Sequence, residues 1–227
     1  SGESEVNQII SDASENIYIS GSFHNATFTV QGTEIDTTVT DTTTTPITIN
    51  STGSYLAKYN SNRDLIWVIP FENAEGTRLT HTIDNKLVIC GNFINELDLD
   101  PETLGINYTS TSYEDGFVST YNSEGIYEWS AVFKNLYDCN FNCLETDNSG
   151  AIYVGGSHRN SVIIESGAEI DTIQNGNPEN IALIKFSTSG SIIWSKKIGN
   201  FSFQEYIEDL KIDEDNNIYI SGNYMSS

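Results

Sequence analysis

Apolar residues along the chain fall into short runs that alternate with polar ones, and no stretch shows the spacing of an amphipathic helix. The most telling run is Asp147-Asn-Ser-Gly-Ala-Ile-Tyr-Val-Gly-Gly156, a turn followed by alternating apolar positions. It returns as Asp12-Ala-Ser-Glu-Asn-Ile-Tyr-Ile-Ser-Gly21 and as Asp213-Glu-Asp-Asn-Asn-Ile-Tyr-Ile-Ser-Gly222, with a shortened copy, Asp84-Asn-Lys-Leu-Val-Ile-Cys-Gly91, between them. The closing glycines recur about every 65 residues, the mark of a repeat architecture.

Each period predicts four strands. The first is the apolar run before the aspartate: Val6 to Ile10, Phe141 to Leu144 and Ile207 to Ile212. The second follows a tight turn whose left-handed slot holds Gly150 or Asn216; Glu15 suits that slot less well. The third covers Tyr55 to Tyr59, Phe117 to Tyr121 and Ala182 to Phe186. The fourth reaches Trp67, Trp129 or Trp194, eight residues beyond the aromatic that closes the third. Gly125 and Gly190 occupy the left-handed position of the intervening turn, where Arg63 is a departure. Four short antiparallel strands per period of about 65 residues describe a propeller blade. Both faces of these strands carry apolar residues, so a blade needs neighbours on both sides, and Trp67, Trp129 and Trp194 are assigned to packing between blades.

The expected fold is therefore all-β: a β-propeller segment of about three and a half four-stranded blades. The blades span 1–73, 74–135, 136–200 and an incomplete 201–227, a piece of a longer propeller or multidomain chain. Long links between second and third strands repeat too. Gly32-Thr-Glu-Ile-Asp-Thr37 parallels Gly167-Ala-Glu-Ile-Asp-Thr172, each after an alternating run, which predicts an extra hairpin. Thr37 to Thr45 reads as a solvated loop.

Charge narrows the partners. Ten basic against thirty-two acidic residues give a net charge of −22, which repels nucleic acid and anionic membrane surfaces. No apolar run approaches the roughly 20 residues of a membrane-spanning helix, so membrane insertion is not expected. Cys90 lies in a strand and reads as a small buried residue. A Cys139–Cys143 bridge requires a turn, because an extended segment would hold their Cα atoms about 13 Å apart against the ~4.4–6.8 Å of a disulfide.

The combination Asp-x-x-Gly/Asn-x-Ile-Tyr-x-x-Gly, Phe/Leu-Val-x-Lys-Tyr-Asn-Ser-x-Gly and Trp resembles a bacterial β-propeller repeat family found in secreted and surface proteins of the Bacteroidetes type. Leu97-Asp-Leu-Asp-Pro101 followed by Asp115-Gly-Phe-Val118 resembles the middle of that repeat. The resemblance implies export to the extracellular space or cell surface, and six to eight blades in all.

Candidate chemistry is sparse. No nucleophile elbow, metalloprotease helix or phosphate loop occurs, and His24, His81 and His158 read as surface or core residues. No catalytic residue or cofactor site is assigned. Asp98, Asp100 and Glu102, and likewise Asp213 and Asp215, set oxygens at alternate positions, the pattern a calcium ion would take; the competing reading is that the aspartates cap their own turns. Asn25, Asn50, Asn107 and Asn200 open N-glycosylation patterns, and Asp36, Asp41 and Asp171 precede threonines that resemble O-glycosylation sites of Bacteroidetes exported proteins.

The working surface is expected where the long links emerge, opposite the tight turns. It gathers Phe23, Phe28, Tyr108, Tyr113, Tyr137, Phe141, Phe201 and Tyr206 with Glu34, Asp98, Asp100, Glu102, Glu114 and Asp138. Aromatic anchors within a polar rim suit recognition; the alternative is that the rings pack the loops onto the blades. The expected function is a non-enzymatic extracellular scaffold for adhesion or protein interaction. A carbohydrate-binding propeller is the alternative, marked by a pocket repeated in each blade, with an aromatic floor and an amide or carboxylate rim. A quinone- or metal-dependent propeller enzyme is a third.

Overall fold

The computed structural model describes residues 3–31, 44–48, 51–101, 105–111, 113–137, 139–174, 179–199 and 203–226. Among them every regular element is a strand, and every pairing is antiparallel.

The first sheet comprises β1 (Glu3–Ser11), β2 (Ile17–His24), β5 (Thr52–Tyr59) and β6 (Leu65–Glu72), in that spatial order, with a hairpin β3 (Thr27–Gln31) and β4 (Thr44–Thr48) inserted after β2. The second comprises β7 (Ala74–His81), β8 (Leu87–Phe93), β11 (Asp115–Tyr121) and β12 (Tyr127–Lys134), with the insertion β9 (Glu96–Asp98) and β10 (Asn107–Thr109). The third comprises β13 (Cys139–Thr146), β14 (Ile152–His158), β17 (Asn180–Phe186) and β18 (Ile192–Ile198), with the insertion β15 (Val162–Ser166) and β16 (Glu169–Ile173). A two-stranded fourth consists of β19 (Phe203–Ile212) and β20 (Ile218–Ser226). Successive first strands lie against one another, β1 to β7, β7 to β13 and β13 to β19, which is the propeller arrangement the repeat predicts.

The turns explain why the aspartates recur. Oδ1 of Asp12, Asp147 and Asp213 each accepts the backbone N–H groups two and four residues on, at 2.8–3.0 Å. Asn60 and Asn122 close the second hairpin in the same way. The geometry holds even where the residue suits it poorly, for Glu15 and Arg63 take φ of 61° and 72°.

The core is the space between sheets. One cluster joins Leu56 and Phe71 of the first sheet to Phe93, Phe117 and Tyr121 of the second. Another joins Val118 and Phe133 of the second to Phe141, Val154 and Phe186 of the third. Side chains of one sheet also complete the backbone of the next. Gln8 Oε1 accepts the Leu79 N–H (3.1 Å), Asn92 Oδ1 that of Phe141 (2.8 Å) and Ser157 Oγ that of Ile207 (3.1 Å). Cys139 and Cys143 form no disulfide and are buried in β13, opposite His158 and Gly155, so the extended segment leaves no turn for a bridge.

The insertions behave in two ways. The pair β9–β10 stays a separate two-stranded sheet, whereas β15 joins the outer edge of β12 and makes the second sheet six-stranded. The ladder reaches only from Ala131 to Lys134, leaving Tyr127 to Ser130 without a strand partner on that edge.

Candidate functional site

The long-link end of the second and third sheets is organised by one buried carboxylate. Asp115 Oδ1 accepts the Asn135 N–H at 3.0 Å, and Oδ2 accepts the Thr111 N–H at 2.9 Å, with the Thr111 hydroxyl beside both. Burial raises its pKa against the opposing pull of these donors. Asn135 donates its amide to Arg159 O (2.7 Å) and accepts the Tyr137 N–H (2.9 Å). Asp115 and Asn135 thus tie three links together.

Above this hub opens a cleft of about 310 Å³, walled by Leu136, Ile163 and the Thr111, Asn160 and Ser161 backbone turns. Leu136 is 70% exposed and Ile163 41%, with Tyr137 (46%) following Leu136 and Tyr113 (62%) following the Thr111 segment. Lys134 on its wall is paired with Glu165 at 2.7 Å.

The candidate face divides. Tyr113 and Tyr137 are exposed, and Glu114 and Tyr206 are partly covered. Phe23, expected on this surface, is instead 2% exposed, because alternation along β2 turns it into the cluster with Tyr55, Ala57 and Val68. Phe28 and Phe141 are buried likewise. Asp138 and Phe201, with Glu34 and Glu102, lie outside the described residues. Tyr108 belongs elsewhere: its ring packs against the cluster between the first two sheets, and its hydroxyl meets Ser130 Oγ at 2.9 Å.

Of the proposed calcium ligands, Asp98 and Asp213 hold turns. Asp98 Oδ1 accepts the N–H groups of Asp100 and Ile106. Both Asp213 oxygens take donors, Oδ2 from the Asn217 amide (2.8 Å) and the Tyr219 hydroxyl (2.9 Å). Asp215 is exposed beside it. Among the described residues no group of three or more His, Cys, Asp and Glu side chains converges as a metal site would. His158 is buried in β14, its Nδ1 2.7 Å from Asn160 O, and burial lowers its pKa to about 4.

The tryptophans sit at sheet junctions. Trp67 lies against Gly125 in the tight turn of the second sheet, and Trp129 against Gly190 in that of the third. Trp129 Nε1 donates to Thr188 O at 3.0 Å. At the preceding junction Lys58 Nζ takes the corresponding carbonyl, Ser123 O, at 2.8 Å, and Trp67 Nε1 has no partner among the described residues. Trp194 packs edge-on to Tyr153, ring centroids 5.9 Å apart.

Beside Trp129, at the free edge of β12, lies a second opening of about 300 Å³. Sequence reasoning missed it because its walls come from β10, β12, the β15–β16 turn and the β17–β18 turn. The available signal was a departure within the repeat: Tyr127 and Ser130 stand where the first blade has Leu65 and Val68.

No family model matches the chain. Over 197 residues, 76% of this chain, it is 23% identical to an uncharacterized WD repeat-containing protein of Acanthamoeba polyphaga mimivirus, and it spans 14% of that protein's length. The likeness agrees with propeller-type repeats and does not extend to the Bacteroidetes-type family that the motifs resemble.

Proposed function

We propose that the chain is a non-enzymatic interaction module whose docking face is the long-link end, centred on the cleft between the second and third sheets. The observation that carries this reading is the exposure of Leu136 and Ile163 on one open cleft beside a buried Asp115–Asn135 hub, with Tyr113 and Tyr137 exposed on the links that Thr111 and Leu136 belong to. Exposed apolar groups of this size on a rigid base suit an anchor side chain from a protein partner. The net charge of −22 favours a partner rich in lysine and arginine. The likeness to a WD repeat-containing protein supports a scaffold built of repeats. An exported setting at a cell surface, with a role in adhesion, draws its support from the motif resemblance.

The test is selection of displayed peptides on the immobilised protein. Enriched peptides should carry an apolar anchor beside basic residues. Leu136→Asp should abolish their binding, while Glu124→Lys, at the opposite end of β12, should leave it. Peptides indifferent to Leu136→Asp would overturn the assignment of the face.

A further inference from the structure

The opening at the free edge of β12 has a chemistry that the repeat does not require. Its floor is the strand from Tyr127 to Ser130, its sides the turn at Gly167–Ala168 and the tight turn at Ser189–Ser191. Three half-buried rings line it: Tyr108, Tyr127 and Trp129. The Tyr108 and Tyr127 hydroxyls both lie 2.9 Å from Ser130 Oγ, itself 5% exposed. Two contacts among three hydroxyls use two of three protons, which leaves a donor as well as lone pairs for a ligand that is both. On the rim stand Glu128, held by Lys86 at 2.8 Å, and Glu169, whose Oε2 accepts the Ile192 N–H at 2.7 Å. Each carboxylate is therefore anchored through Oε2 while facing the opening.

We infer that this opening is a saccharide-binding site, for a neutral or amino sugar. Aromatic faces accept the C–H face of a pyranose, and paired hydroxyl and carboxylate acceptors match its vicinal hydroxyls. Two rim carboxylates on a chain of net charge −22 disfavour uronic, sialic and sulfated sugars. The volume of about 300 Å³ is at the small end of ligand pockets, the size for one or two sugar units at a time. The first blade supplies the internal control. There Leu65 and Val68 stand in place of Tyr127 and Ser130 and pack into the cluster of Phe23, Tyr55 and Ala57. The opening beside the equivalent tight turn, lined by Ile69, Leu99, Asp100, Pro101, Tyr121 and Glu124 among others, is about 70 Å³. Packing at this position is thus achieved with aliphatic residues, and the tyrosine–serine set is an addition.

Saturation-transfer NMR and calorimetry against lactose, mannobiose, chitobiose and chitosan dimer, with hyaluronan tetrasaccharide and sialyllactose as acidic counterparts, decide the matter. At least one neutral or amino sugar should bind and the acidic ones should not. The double change Tyr127→Leu with Ser130→Val, which copies the first blade, should weaken binding at least tenfold without lowering the melting temperature. Should that variant fold poorly, Tyr127→Phe removes one hydroxyl, keeps the ring, and should still weaken binding several-fold. Leu136→Asp, in the separate cleft, should not matter. No binding by any neutral or amino sugar, preference for the acidic ones, or undiminished binding by the folded variants would overturn the assignment.

Discussion

The junction between the first and second sheets and that between the second and third are built from the same repeat and end differently. At the first, β9–β10 stays outside the ladder and pushes Leu97 and Leu99 into the core, closing the rim to about 70 Å³. At the second, β15 spends its hydrogen bonds on β12 and carries its turn outward, so the rim stands open at about 300 Å³. The deep packing is alike, with Phe71 and Phe133 fully buried on the two sides. The difference teaches that the inserted hairpin sets the character of a junction while the repeated strands set its strength.

The largest expected effects test the shared part. Phe71→Ala and Phe133→Ala should each cost about 3–5 kcal/mol in urea melts. A loss below about 1 kcal/mol in either would break the equivalence of the two cores. Next come the turn glycines. A Cβ on Gly190 (φ +89°) would lie 2.6 Å from the Trp129 ring, and one on Gly125 (φ +81°) 3.2 Å from Trp67. Gly190→Ala should therefore cost about 3 kcal/mol and Gly125→Ala about 1–2 kcal/mol, mostly the left-handed penalty, since its 3.2 Å contact asks the indole to give by only a few tenths of an ångström. Equal losses would mean that the indoles do not differ in how tightly they seat.

A pH difference follows. His158 occupies in β14 the place of Phe93 in β8, and its pKa is lowered to about 4 by burial. As pH falls the unfolded chain takes up the proton first, near 6.5, so stability is full above that value and declines toward pH 4. Melts at pH 7 and 4.5 should differ by about 2 kcal/mol, and His158→Phe should remove most of that difference. Acid loss below pH 4 should persist in the variant. Burial raises the Asp147 carboxyl, but donors including Ser149 and Lys185 hold it at about 2. The smallest effect concerns the indole N–H groups. Both Trp→Phe changes trim a packed indole, but Trp129→Phe also forfeits the bond to Thr188 O and should cost about 1 kcal/mol more than Trp67→Phe, whose Nε1 has no partner among the described residues. The reverse ranking would show the two tryptophans misassigned.

Strand order and turn chemistry were legible because they are local. An aspartate opening a turn, a left-handed residue closing it and a tryptophan eight residues past an aromatic each lie within one short window. Even Arg63 followed the frame rather than its own preference, since its neighbours fix the turn. The exposed pair Tyr113 and Tyr137 was legible as aromatic loop residues among carboxylates. Phe23 was misplaced because position after a glycine does not tell which face a strand end presents. The rim opening was not legible, for it depends on β15 choosing β12 as its partner, a pairing between residues about 30 apart that no local pattern records.

Three side-chain acceptors that take a strand N–H from a neighbouring sheet point one way along the chain. Gln8, Asn92 and Ser157 each serve a strand that comes later. The sheets are thereby joined head to tail, like subunits added to a growing filament, and each finished unit is the template for its successor. A ribosome releasing this chain presents these three acceptors before the strands that use them, so assembly can keep step with synthesis.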